Sequence, residues 1–199
     1  MNNFYFKQLL IAFIAFLCCA TVNAHDFVVN DIYYNITSST DLTVDVTFEG
    51  SSYSSSKKTY ADSVVVPETV TYKNKKYSVT GVANRAFYNC VNLTGVSLPN
   101  SVKKIGTYAF YGCTNLTGAV LPDSVKELGT YTFYNCGKLN NVTIPDSLES
   151  IGNYAFYKCT SLAEIIIPES VNKIGYSAFR ECSSLRNVTL PKGITTIDS

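Results

Sequence analysis

From Val82 onward, apolar and polar positions recur with a period of 23 residues. VANRAFYNC (82–90), IGTYAFYGC (105–113), LGTYTFYNC (128–136), IGNYAFYKC (151–159) and IGYSAFREC (174–182) each open a unit, giving units at 82–104, 105–127, 128–150, 151–173 and 174–196. Phe recurs at 87, 110, 133, 156 and 179, Leu at 93, 116, 139, 162 and 185, and Pro at 99, 122, 145, 168 and 191. A unit this short cannot bury its own apolar residues, so it must stack on its neighbours.

Each part of the unit predicts an element. In Leu139-Asn140-Asn141-Val142-Thr143-Ile144, apolar Val142 and Ile144 alternate with polar Asn141 and Thr143, the mark of a short strand with one buried face. Pro145 ends it, having no amide hydrogen to continue a ladder. After Gly129, Thr130 is placed to cap a short helix carrying Thr132, Phe133 and Cys136. Ala109 and Cys113, four apart, would share one face of such a helix. The expectation is an α/β repeat: a solenoid with one parallel sheet and short helices, each Phe above the previous one.

Residues 25–81 read as a β-rich cap on the first unit. FVVNDIYYNIT (27–37) and LTVDVTF (42–48) are strand patterns, and GSSYSSSKKTY (50–60) is a polar loop. SVVVPETV (63–70) matches the strand–proline portion of a unit, and Tyr72, Tyr77 and Val79 flank Lys73–Lys76 as a hairpin would, making 63–81 a degenerate repeat. Residues 197–199 begin a sixth unit, which leaves an uncapped end through which copies could associate.

The first 24 residues fall outside this pattern. Lys7, an apolar run of about 12–14 residues and Val22-Asn23-Ala24 read as a secretory signal peptide cleaved after Ala24. The run is shorter than the ~20 residues a membrane-spanning helix needs, so no transmembrane segment is expected in the mature chain. That places the protein outside the cell or on its surface.

Charge and chemistry narrow the function by exclusion. Without Lys7 the basic and acidic side chains balance, and no basic patch exists to track nucleic acid. The one histidine, His25, lies outside the repeats, so a Cys or Ser nucleophile lacks its usual base. Cys90, Cys113, Cys136, Cys159 and Cys182 follow the fold's own period rather than the close pairs of a zinc site. Their expected role is as small buried residues with free thiols. No enzyme activity, metal or cofactor is expected.

The phrase IGxxAFxxCxxLxxVxLPxSVxx, repeated over roughly 63–199, resembles the BspA-like leucine-rich repeats. The resemblance implies a leucine-rich-repeat solenoid in a secreted or surface-attached protein. It also implies an adhesin or host-protein-binding role, with fibronectin and fibrinogen as partner types.

Two surfaces are candidates. Outward strand positions form the rows Gly95, Gly118, Asn141, Glu164, Asn187 and Ser97, Val120, Thr143, Ile166, Thr189. Val120, Asn141, Thr143, Glu164, Ile166, Asn187 and Thr189 are the candidate contacts for an extracellular or host-matrix protein. Alternatively, Tyr108, Tyr131 and Tyr154 with Tyr88, Tyr111, Tyr134 and Tyr157 could stack on a glycan, or simply cover the turn side of the coil. A structural spacer or self-assembling unit is the third class.

Overall fold

The computed structural model describes residues 25–49 and 60–197. The leader read at 1–24, the polar loop over 50–59 and residues 198–199 lie outside the described residues. Ahead of the repeats, β1 (Phe27–Val29), β2 (Ile32–Ser38) and β3 (Thr43–Thr47) form an antiparallel meander. After β4 (Asp62–Val65), β5 (Thr69–Tyr72) and β6 (Lys75–Val82) make an antiparallel hairpin. It turns through Lys73 and Asn74 at φ 47° and 59°, the left-handed region that Asn tolerates best after Gly.

Each repeat contributes two short strands rather than one. The first set is β7 (Leu93–Ser97), β9 (Gly118–Val120), β11 (Asn141–Thr143), β13 (Glu164–Ile166) and β15 (Asn187–Thr189). The second is β8 (Lys104–Ile105), β10 (Glu127–Leu128), β12 (Ser150–Ile151), β14 (Lys173–Ile174) and β16 (Thr196–Ile197). The expected single parallel sheet is therefore two parallel ladders. The second continues the meander, in the order β1-β2-β3-β6-β8-β10-β12-β14-β16. Its strands arise because the proline begins a turn, closed by the Leu148 amide donating to the Pro145 carbonyl at 3.0 Å, that returns the chain to an extended path. Two residues are too few for alternation to show in sequence.

The short helix does not form. Instead, the Ala-Phe-Tyr segment runs through successive turns, with Tyr111 N–H donating to Tyr108 O and Cys113 N–H to Phe110 O. The intervening amides point out of the coil. Those of Tyr108, Phe110 and Gly112 donate to Thr130, Thr132 and Tyr134 of the next coil at 2.8–3.0 Å. A helix would have turned those amides inward on its own carbonyls; here coil-to-coil bonding takes them. The alternation requires left-handed residues, and Arg85, Tyr108, Tyr131, Tyr154 and Ser177 all have φ of 50–61°. Thr130 consequently caps nothing, and it is Thr132 Oγ1 that donates, to the Gly129 carbonyl at 2.7 Å.

Stacking supplies the core. Phe87, Phe110, Phe133 and Phe156 are fully buried and, with Phe179, form a row of parallel rings with centroids 4.9–5.4 Å apart. Tyr60 closes the row's first end, 4.7 Å from Phe87, and its hydroxyl donates to the Thr47 carbonyl at 2.7 Å. The coils approach so closely at one corner that only glycine fits. A Cβ on Gly152 would lie 2.7 Å from the Gly129 carbonyl carbon.

Candidate interaction face

All seven candidate residues lie exposed on β9, β11, β13 and β15. Val120 pairs with Thr143 in register, Ile166 with Thr189, Gly118 with Asn141 and Glu164 with Asn187. Side chains alternate across a strand, so the middle residues Ala119 and Ile165 turn into the core while their neighbours face out. Sequence reasoning missed Val65 at the start of the outer row. It pairs with Ser97, which extends the row to Val65, Ser97, Val120, Thr143, Ile166 and Thr189. Val65, Val120 and Ile166 are 68%, 64% and 70% exposed, among the most exposed large apolar side chains described. The signal was present in SVVVP, whose second Val lies two residues before the proline, as Ser97 and Val120 lie before theirs.

The ladder beneath this face is interrupted once. β4, β7, β9 and β11 form one sheet and β13 and β15 another, with no pairing between β11 and β13. At the flanking junctions the Leu121 amide donates to Thr143 at 3.2 Å and the Ile167 amide to Thr189 at 3.0 Å, while Ile144 makes no such bond to Ile166. Everywhere else the same two coils stay joined: β10 pairs with β12, and Tyr131, Phe133 and Asn135 donate across on the turn side. The opening is a groove of about 490 Å³, and Asn141, Thr143, Glu164 and Ile166 all line it. Asp146 lines it too, and was not singled out from sequence. The ion pairs among the described residues are Lys126–Glu149 (2.7 Å) and Lys158–Glu181 (3.5 Å), so Asp146 and Glu164 belong to neither.

The tyrosines lie on the turn side in two rows. Tyr108, Tyr131 and Tyr154 stack at 4.8–4.9 Å, and Tyr88, Tyr111, Tyr134 and Tyr157 at 4.7–4.9 Å, with rings within 11° of parallel. Rings stacked this way cover one another's faces and present only edges and hydroxyls outward. The Arg85 guanidinium closes one end, 4.8 Å above Tyr108. Tyr157 donates a short hydrogen bond to Glu181, which holds that carboxyl below its ordinary range with help from Lys158 and Arg180. Burial, then neighbouring tyrosines, push the Tyr111 and Tyr131 phenols up.

The cysteines are free and buried in one row. Each thiol from the second coil on donates to a Phe carbonyl of the previous coil, as Cys113 does to Phe87 at 3.0 Å and Cys159 to Phe133 at 3.2 Å. Burial pushes Cys113 and Cys136 well up and Cys182 to about 11, so the thiolate a nucleophile needs is disfavoured. Among the described residues no three His, Cys, Asp or Glu side chains converge as metal ligands, and no helix is long and apolar enough to cross a membrane.

The BspA-type leucine-rich-repeat pattern matches residues 80–199 in six copies. This chain belongs to the BspA-type leucine-rich-repeat family. A leucine-rich repeat protein from Bacteroides ovatus is 38% identical with a TM-score of 0.78, over 87% of this chain and 43% of that one. The Treponema pallidum leucine-rich repeat protein is 36% identical with a TM-score of 0.70, over 83% and 72%. The pneumococcal vaccine antigen PcpA shares the fold at 23% identity and a TM-score of 0.60, over 86% and 50%. The chain thus spans less than half of the Bacteroides ovatus leucine-rich repeat protein. No curated protein matches it in sequence.

Proposed function

We propose that this BspA-type chain is a binding module, secreted or held at the cell surface, whose strand face docks an extracellular protein. The observation that carries the reading is the row Val65, Val120 and Ile166, each exposed by more than three-fifths on a surface where Ser97, Thr143 and Thr189 alternate with them. Single exposed apolar residues are ordinary, but three in one register form a stripe that a partner can cover. Contacts on such a face add coil by coil at the strand spacing of ~4.8 Å. The covered tyrosine faces favour this surface over glycan stacking on the turn side. Immobilised fibronectin and fibrinogen, the partner types the resemblance implies, serve as probes in surface plasmon resonance. Val65→Ser with Val120→Ser should weaken capture at least about tenfold, roughly 1.4 kcal/mol or more. Tyr111→Ser with Tyr134→Ser, checked for folding, should leave it within about twofold. Loss only in the tyrosine variant would move the site to the turn side.

One observation favours a second reading, association of two copies through an exposed apolar pair at β15. Val188 and Leu190 are 42% and 45% exposed, where the equivalent Ile165 and Ile167 are buried. Sedimentation over a concentration series tests it: association that Val188→Asp abolishes supports this contact, and a constant monomer mass removes it.

A further inference from the structure

The break between β11 and β13 lies inside the proposed face, and its chemistry differs from that of every intact junction. In a parallel ladder, alternate residues bond to opposite neighbours. The register of the flanking pairs assigns the groups left over. They are the carbonyls of Asn140 and Val142 with the amides of Val142 and Ile144 on one edge, and the amides and carbonyls of Glu164 and Ile166 on the other. Cα atoms across the gap still approach within 8 Å. A further strand would need its neighbours roughly twice 4.8 Å apart, so the slot is too narrow to admit one. The groove of about 490 Å³ that opens over it has room for a flat group. Its walls carry the carboxylates of Asp146 and Glu164 and no cationic side chain, with apolar Ile166 beside them. The amides and carbonyls left over balance, so the carboxylates of Asp146 and Glu164, outside both ion pairs, set the preference for a cation, and the carbonyls beside them suit one that donates several hydrogen bonds in a plane.

We propose that this slot is the anchor point of the strand face, and that it takes an arginine side chain presented by an extended segment of a partner protein. This rests on the strand-face reading and names the partner chemistry it requires. The guanidinium is planar, permanently charged and carries five N–H donors in a fixed fork, matched to carboxylates and free carbonyls. Its aliphatic stem packs along Ile166, as long basic side chains do on apolar surface. Lysine offers a compact charge without the planar fork and fits the slot less well.

The test uses N-acetyl-arginine methylamide as probe in a ¹⁵N–¹H titration of the full chain, with the citrulline analogue as its uncharged isostere. The expected result is saturable shifts at Val142, Ile144, Glu164 and Ile166, at least tenfold weaker with citrulline. Asp146→Asn with Glu164→Gln should abolish them, and Asp123→Asn with Glu127→Gln should not. Equal binding of citrulline, shifts spread over carboxylates along the whole stack, or no saturable shift at all would each overturn the proposal. Capture of fibronectin or fibrinogen separates this failure from that of the broader reading. If Val65→Ser with Val120→Ser loses capture and the carboxylate variant keeps it, the face stands and the arginine anchor falls. If both lose it, the anchor is supported; if both keep it, the face itself is wrong.

Discussion

The turn side and the strand side of the same coils cross one junction differently. Between residues 128–150 and 151–173, the turn side keeps its rings stacked and its amides bonded, with Phe133 5.4 Å from Phe156 and Tyr131 4.9 Å from Tyr154. On the strand side, β11 and β13 part. Buried repetition holds the stack together whether or not each ladder is complete, which leaves the strand side free to diverge. Stability resides in the Phe, Leu and Gly positions; variation in exposed chemistry falls where Gly118, Asn141, Glu164 and Asn187 succeed one another.

The largest test of that division is Phe133→Ala, which removes a fully buried ring and should cost ~3–5 kcal/mol in urea melts. Thr143→Ala, on the exposed face, should stay within ~0.5 kcal/mol. Similar losses would mean that the strand side carries the fold. Next comes Gly152→Ala. Its Cβ would meet backbone atoms of Leu128, Gly129 and Thr130 at 2.7–2.8 Å, so a loss of about 1–3 kcal/mol is expected. A neutral result would show that the coils can separate at this corner as they do between β11 and β13.

Tyr131 offers a finer probe, because its φ of 60° strains any residue with a side chain. Tyr131→Gly should be more stable than Tyr131→Ala by about 1 kcal/mol in the same melts, as both lose the ring and only Gly loses the strain. The reverse order would place Tyr131 outside the left-handed region. Hydrogen exchange reads the break itself: the Ile144 amide should exchange about tenfold or more faster than that of Leu121, which bonds to Thr143. Equal protection would mean that the ladder closes in solution. The smallest effect is electrostatic. Glu181 has a lowered folded pKa, so its contribution to stability is present above the ordinary carboxyl value near ~4.3 and is lost as pH falls through the folded value. Tyr157→Phe should flatten that acid limb slightly, and an unchanged limb would remove the Tyr157–Glu181 bond from the account.

Residues that recur because they are buried were readable from the chain. Phe133, Leu139 and Pro145 mark the coil wherever they return, and the hairpin around Lys73 and Asn74 followed from its flanking alternation. The helix was misread because a four-residue spacing such as Ala109 to Cys113 satisfies two consecutive turns as well as one helical turn. Nothing about Tyr108 or Tyr131 as residue types announces a positive φ; coil-to-coil hydrogen bonding imposes it. The second ladder was invisible because pairs such as Glu127–Leu128 are too short to show a period. As for the break, Asn141 and Glu164 keep the alternation of every other unit, so only the three-dimensional register reveals that their strands do not meet.

The tyrosine rows also give the molecule an optical character. The chain has 15 tyrosines and no tryptophan, so phenols dominate its near-ultraviolet absorption and emission. Rings held parallel at 4.7–4.9 Å are close enough for an excited state to pass from one to the next. Light absorbed at Tyr88 can emerge from Tyr157 with the memory of its polarisation blurred. Depolarised emission and a coupled circular-dichroism band would then report on the integrity of the stack without any added label.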